Sequence, residues 1–206
     1  MAGEEIRASE DAAGLAALIS RAAGETGGKS RGLPPVDKWN PPFCDIDMEI
    51  RADGTWFYMG TPIGRAPLVR LFSTVLRKDE DGKTYLVTPV EKVGIRVVDA
   101  PFLAVEMSVT ERDGNPLLTF RTNTGDVVEA GEEHALRFVI HGDSSELKPY
   151  LHVRGRLEAL VARPVMYELV ELGEVIEVEG REMFCLSSGG RIFPVMPADE
   201  LDALSR

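Results

Sequence analysis

Between Gly54 and Val97 the spacing of apolar residues changes period in a set order. The aromatic run Trp56-Phe57-Tyr58 ends at Gly60 and reads as a strand closed by a turn, with Trp56 and Tyr58 on one face and Phe57 on the other. After Arg65, Pro67 opens a segment in which Leu68, Leu71, Phe72, Val75 and Leu76 recur at i, i+3, i+4, i+7 and i+8. That stripe predicts a helix, and proline suits its first position because the N–H it lacks has no helical partner there. Asp81-Gly82 then marks a tight turn, and residues 85–88 read as the strand leaving it.

A weaker copy of this pattern runs over residues 149–195. Leu-His-Val-Arg before Gly155 answers Trp-Phe-Tyr-Met before Gly60, and Arg163 and Pro164 answer Arg65 and Pro67. Val165, Leu169 and Leu172 keep the positions of Leu68, Phe72 and Val75. Glu168 and Gly173 stand in place of Leu71 and Leu76, so the second helix is expected to be shorter or less buried. Glu179-Gly180 then opens a strand over 183–186. The pattern reads as an internal duplication of one strand–helix–hairpin unit.

Around the two copies the period is mostly that of strands. Asp45, Asp47 and Glu49 alternate with Ile46, Met48 and Ile50, and Ala52-Asp53-Gly54 turns this strand into residues 55–59. Between the copies, 104–110 alternates Val105, Met107 and Val109, and Arg112-Asp113-Gly114-Asn115 returns the chain so that Leu118 and Phe120 face the core. Asn123-Thr124-Gly125-Asp126 leads to a strand over 127–130, and residues 135–140 close this meander. Upstream, residues 9–23 read as a helix capped by Ser9, residues 24–32 as a flexible glycine-rich linker, and the proline pairs around Trp39 as an extended arm. PADELDALSR at the end is a short polar helix or a frayed tail. The fold class expected is α+β: two sheet-plus-helix units related by duplication, with mostly antiparallel strands and an N-terminal covering helix. The divisions fall at 1–32, 33–103 and 104–206.

Several long runs in order, KWNPPFCDIDMEI, DGTWFYMGTPIGR, LVRLFSTVL and YLVTPVEKVGIRV, resemble an uncharacterised bacterial family, domain of unknown function 1285. The likeness continues through LTFRTNTGD, HALRF, LHVRG and RPVMYELVEL, and so covers nearly all of the chain after the linker. It implies a two-part α+β fold with a repeated motif and a link to signalling. It implies no established activity and no catalytic residues.

Composition narrows the partners. The net charge is −11, and no run of Lys/Arg exceeds two residues, which disfavours nucleic acid and anionic membrane as partners. Apolar runs fall far short of the roughly 20 residues that span a bilayer. The acidic N-terminus lacks a signal pattern, so a cytoplasmic location is expected. Cys44 and Cys185 form no C-x-x-C pair and read as free buried thiols. No cofactor motif is present.

The candidate chemistry is sparse. Asp45 and Asp47 beside Cys44 offer metal ligands on paper, but i and i+2 on a strand face solvent together, and no metal is expected. His134, His141 and His152 accompany no nucleophile elbow, so no catalytic residue is assigned. Gly60 to Gly64 precede a helix N-terminus with Arg65 beside it, a place for an anion or simply a rigid turn. The densest polar cluster holds Asn123 and Asp126 at a glycine turn with His134 and Arg137 downstream. Together with Arg65 and His152 these form the candidate ligand site, Arg137 suiting a carboxylate or phosphate. The competing reading gives Asn123 and Asp126 to turn geometry and pairs Arg137 with a neighbouring glutamate.

Three functions stay open at this stage. The first is a non-enzymatic module binding or sensing a small anionic metabolite in a cleft between the units. The second is a protein-interaction or scaffold role, with the N-terminal helix and the Trp39 arm mediating assembly, a homodimer included. The third is a hydrolase or lyase with an unconventional site. A ligand-induced melting shift separates the first from the second, and the third requires turnover.

Overall fold

The structure, a computed structural model, describes residues 43–89, 91–141 and 146–204, together with Gly14, Ala17 and Pro41. Apart from Gly14, Ala17 and Pro41, the helix expected over 9–23, the linker and the Trp39 arm lie outside the described residues. The chain divides into two compact units, with the boundary between Asp99 and Ala100.

In the first unit, β1 (Phe43–Ile50), β2 (Trp56–Tyr58), β3 (Thr61–Pro62), β4 (Leu76–Lys78), β5 (Thr84–Val87) and β6 (Lys92–Val97) make one sheet in the order β3-β2-β1-β6-β5-β4. Helix α1 (Ala66–Thr74) separates its two halves in sequence. The halves meet at β1 and β6, which pair in parallel. Alternation sets the faces of β1: Met48 and Ile50 are buried, while Asp45 and Asp47 are exposed, as their strand period requires. Trp56 stacks on Phe72 with ring centroids 6.0 Å apart, fixing α1 on the core.

The expected helix is real, but its apolar stripe runs past its end. Phe72 is fully buried and Leu71 only half-buried; Val75 caps the helix and Leu76 already begins β4. Ser73 and Thr74 donate side-chain hydrogen bonds to the carbonyls of Arg70 and Leu71 in the last turn, which loosens the helix just where it stops. Pro67 sits at the second helical position, where the N–H is still one of the unpaired four.

The second unit holds a six-stranded sheet and a three-stranded one. The larger contains β7 (Phe102–Arg112), β8 (Asn115–Thr122), β9 (Val127–Glu129), β10 (Leu136–His141), β11 (Glu146–Arg154) and β12 (Leu157–Val161), ordered β10-β11-β12-β7-β8-β9. After helix α2 (Arg163–Glu171), strands β13 (Glu174–Val178), β14 (Arg181–Ser188) and β15 (Arg191–Pro197) make the smaller sheet, and α3 (Ala198–Leu204) follows. Asp113 and Gly114 take left-handed backbone angles, φ 54° and 76°, as a two-residue hairpin between β7 and β8 demands.

One expectation for this unit changes. Residues 136–141 do not close the meander beside β9; β10 pairs with β11 at the opposite edge of the sheet. The alternating Val105 and Val109 are exposed: the ladder shifts register between Ala104 and Glu106, and Val109, near the hairpin tip, is 48% exposed. Helix α2 has nine residues like α1 and is the less buried of the two, as expected, with Leu172 at its C-cap 41% exposed. A Cβ on Gly173 would lie inside the Phe184 ring, so the space that Leu76 fills in the first copy is taken here by an aromatic from β14.

Candidate functional site

The loop after β8 builds its polar end from local turn chemistry. Thr122 and Thr124 are buried, and their hydroxyls bond Asp126 Oδ2 at 3.2 and 2.8 Å while Asp126 N–H donates to Thr122 Oγ1. Arg154 reaches across from β11 to Asp126 Oδ1 at 2.7 Å with its guanidinium over the Phe102 ring. Asn123 Oδ1 accepts the Leu103 N–H at 3.1 Å. Both expected turn residues are therefore engaged in holding the sheet end. Arg154, the charged partner of Asp126, is not among the residues expected from the sequence, although it sits directly before the Gly155 turn.

The two histidines come together. Their rings stack at 5.6 Å, His134 Nδ1 faces the carbonyl of His152 at 3.2 Å, and His152 meets the carbonyls of Glu133 and Gly155 at 2.9 and 2.8 Å. Arg137, on β10, forms a forked pair with Glu158 at 3.0 and 2.7 Å and lies over Tyr150. Arg65 belongs to the other unit, exposed at the N-cap of α1 with no capping bond from its side chain.

At His134 lies an open depression of about 470 Å³, running along β9 and the loop after it. Its lining includes Leu117, Val127, Val128, Ala130 and Gly189, with Arg112, Glu129, Glu132, Glu133 and His134 as its charged and polar members. Arg112 and Glu129 hold each other through two bonds of 2.8 Å, and that fork keeps the Glu129 carboxyl below the usual carboxylate range. The side chains of Glu132 and Glu133 are exposed, with no partner among the described residues. Of the expected site residues only His134 lines the depression. The run Gly131-Glu132-Glu133-His134 is the signal the sequence carries for it, a weak one because acidic loops are common.

Ser188 precedes the lining residue Gly189. Its hydroxyl is wholly buried, accepts the Leu118 N–H at 2.9 Å and donates to the Ala130 carbonyl at 2.7 Å, so it is spliced into the β8–β9 ladder. Gly189 follows with φ 56°, donating its N–H to Pro116, and a Cβ there would press on the Ala130 carbonyl at 3.1 Å.

The first unit carries a second polar network. Asp79 bridges Arg77, through bonds of 2.6 and 3.1 Å, and Lys92 at 2.7 Å. Burial alone would raise the Asp79 carboxyl, but these cations outweigh it and hold it low. Tyr85 donates to Asp81 at 2.5 Å, and that bond with burial pushes its phenol up to about 12, so it is a fixed donor. Cys44 and Cys185 are both pushed up, chiefly by burial, and so are held as thiols. Among the described residues no cluster fit for a metal occurs, and no helix is long and apolar enough to cross a membrane.

These features define a mostly β, two-unit protein with a repeated strand–helix–hairpin pattern and an open acidic depression on its second unit. The model of the DUF1285 N-terminal domain, a domain of unknown function, matches residues 34–100, and that of the DUF1285 C-terminal domain matches residues 101–195. The chain belongs to the DUF1285 family. It is similar to a DUF1285 family protein from Silicibacter pomeroyi DSS-3, whose crystal structure it matches at 45% identity and TM-score 0.80, covering 95% of this chain and 100% of that one. A DUF1285 family protein from Shewanella baltica OS155 matches at 29% identity and TM-score 0.47, over 60% of this chain and 90% of that one. No curated protein matches the chain.

Proposed function

We propose that this chain is a non-enzymatic binding module that receives a positively charged ligand in the depression beside β9. One observation carries the reading: among the described residues, the only arginine in the lining is neutralised by Glu129, while Glu132 and Glu133 are left over. The carboxylates are thus in excess at a concave surface, and the net charge of −11 adds to the attraction for a cation. The small anion expected around Arg137 has weaker support. Arg137, Arg154 and Arg112 each already face a carboxylate, and a ligand anion would have to displace it. Thiols held protonated by burial favour binding over nucleophilic catalysis. A place in signalling draws only on the family resemblance.

Spermidine, titrated into isotopically labelled protein at low ionic strength, tests this. Saturable amide shifts across residues 127–134 are expected, and they should vanish in the Glu132→Gln/Glu133→Gln double variant. No shifts, or shifts that survive the double substitution, would overturn the reading.

A further inference from the structure

The backbone of β9 says more about the occupant than the charges do, and an inference drawn from it rests on the depression being a cation site. Thr122 N–H bonds the Asp126 carbonyl, and the register pairs Phe120 with Val128, so residues 126, 128 and 130 face β8. In an antiparallel ladder the residues between them turn their backbone groups the other way. The N–H and C=O of Val127 and Glu129 therefore point out of the sheet, at an edge that no strand covers among the described residues. Both residues also line the depression.

Natural edges are usually blunted by charge, proline or a bulge. This one is not. Glu129 is drawn back over the sheet by Arg112, and Val127, 67% exposed, lies at the rim. A small cation would use Glu132 and Glu133 and leave these four backbone groups idle. We infer that the ligand is an extended peptide segment bearing lysine or arginine, added as a strand to β9. Main-chain bonds to Val127 and Glu129 would hold it, as in other cases of strand addition. Its basic side chains would meet the carboxylates just past Ala130, where the charge excess lies.

The test uses an acetylated, amidated Lys-Val-Lys-Val-Lys peptide and two N-methylated versions of it, one blocked at the valines and one at the inner lysine. A strand pairs through one edge, so one version should bind at least tenfold more weakly and the other like the parent. The parent should also shift the Val127 and Glu129 amides. A Val127→Pro protein, which loses an outward N–H and no ladder bond, should bind the parent peptide several-fold more weakly. Both N-methylated peptides binding like the parent, or peptide shifts confined to 131–134, would overturn strand addition while leaving a cation site standing. Failure of spermidine and peptide alike would remove both.

Discussion

The two copies of the strand–helix–hairpin pattern share their local parts and close them differently. Each has a nine-residue helix with proline at its second position. Each then turns through a left-handed glycine, Gly82 in one and Gly180 in the other, with φ 79° at both. In the first copy the strands before and after the helix fuse into one sheet through the parallel β1–β6 pair. In the second, β10 still lies near β15, the equivalent contact, but makes no ladder with it. Instead β12 pairs in parallel with β7, the first of three strands inserted ahead of the copy. One fused sheet has two edges, whereas two separate sheets have four. The free edge of β9, on which the functional reading depends, is thus a product of the insertion rather than of the repeat.

If the helices play the same part in both copies, their central residues should weigh alike. Phe72→Ala should cost about 3–5 kcal/mol and Leu169→Ala about 2–5 kcal/mol in urea unfolding, since both side chains are fully buried. A Leu169→Ala cost below about 0.5 kcal/mol, the range of surface changes, would break the equivalence. The next effect belongs to the second copy alone. Gly173→Ala forces the Phe184 ring aside and should cost about 1–3 kcal/mol, where the first copy has a leucine at the matching place.

The turn after the first post-turn strand separates the copies most sharply. In the second copy Ser188 satisfies two buried backbone groups, so Ser188→Ala should destabilise by about 1–3 kcal/mol. In the first, Glu91 has a buried carboxyl oxygen with no partner, and burial holds its pKa above the usual carboxylate range. An acid raised in the folded state binds its proton more readily there than in the unfolded chain. Stability therefore falls as pH rises through the unfolded pKa, and the penalty is complete above the folded one. Glu91→Gln should raise Tm by a small amount at neutral pH and leave it unchanged in acid below the unfolded value. A lower Tm at neutral pH would contradict this assignment.

Much of this is legible in the residues. Asp113-Gly114, Glu179-Gly180 and the proline-led stripes mark turns and helices because each chemistry has few other uses. What stays hidden is pairing. Alternation in residues 136–141 tells which side chains share a face, not whether β9 or β11 lies alongside, so sequence order alone puts β10 at the wrong edge. The same limit applies to Val105 and Val109, whose alternation is sound but whose register shift and hairpin tip lie beyond any single strand. At the candidate site, Asn123 and Asp126 are visible as a polar turn. Arg154 and Ser188 are not, since each acts on a segment more than twenty residues away.

The central claim is that β9 offers an open edge, and amide hydrogen exchange in the free protein reads it directly. With the ladder as described, the Val128 and Ala130 amides should exchange slowly, bonded to β8, while those of Val127 and Glu129 exchange orders of magnitude faster. Protection of Val127 and Glu129 equal to that of Val128 and Ala130 would mean that something already covers the edge, and would contradict the account.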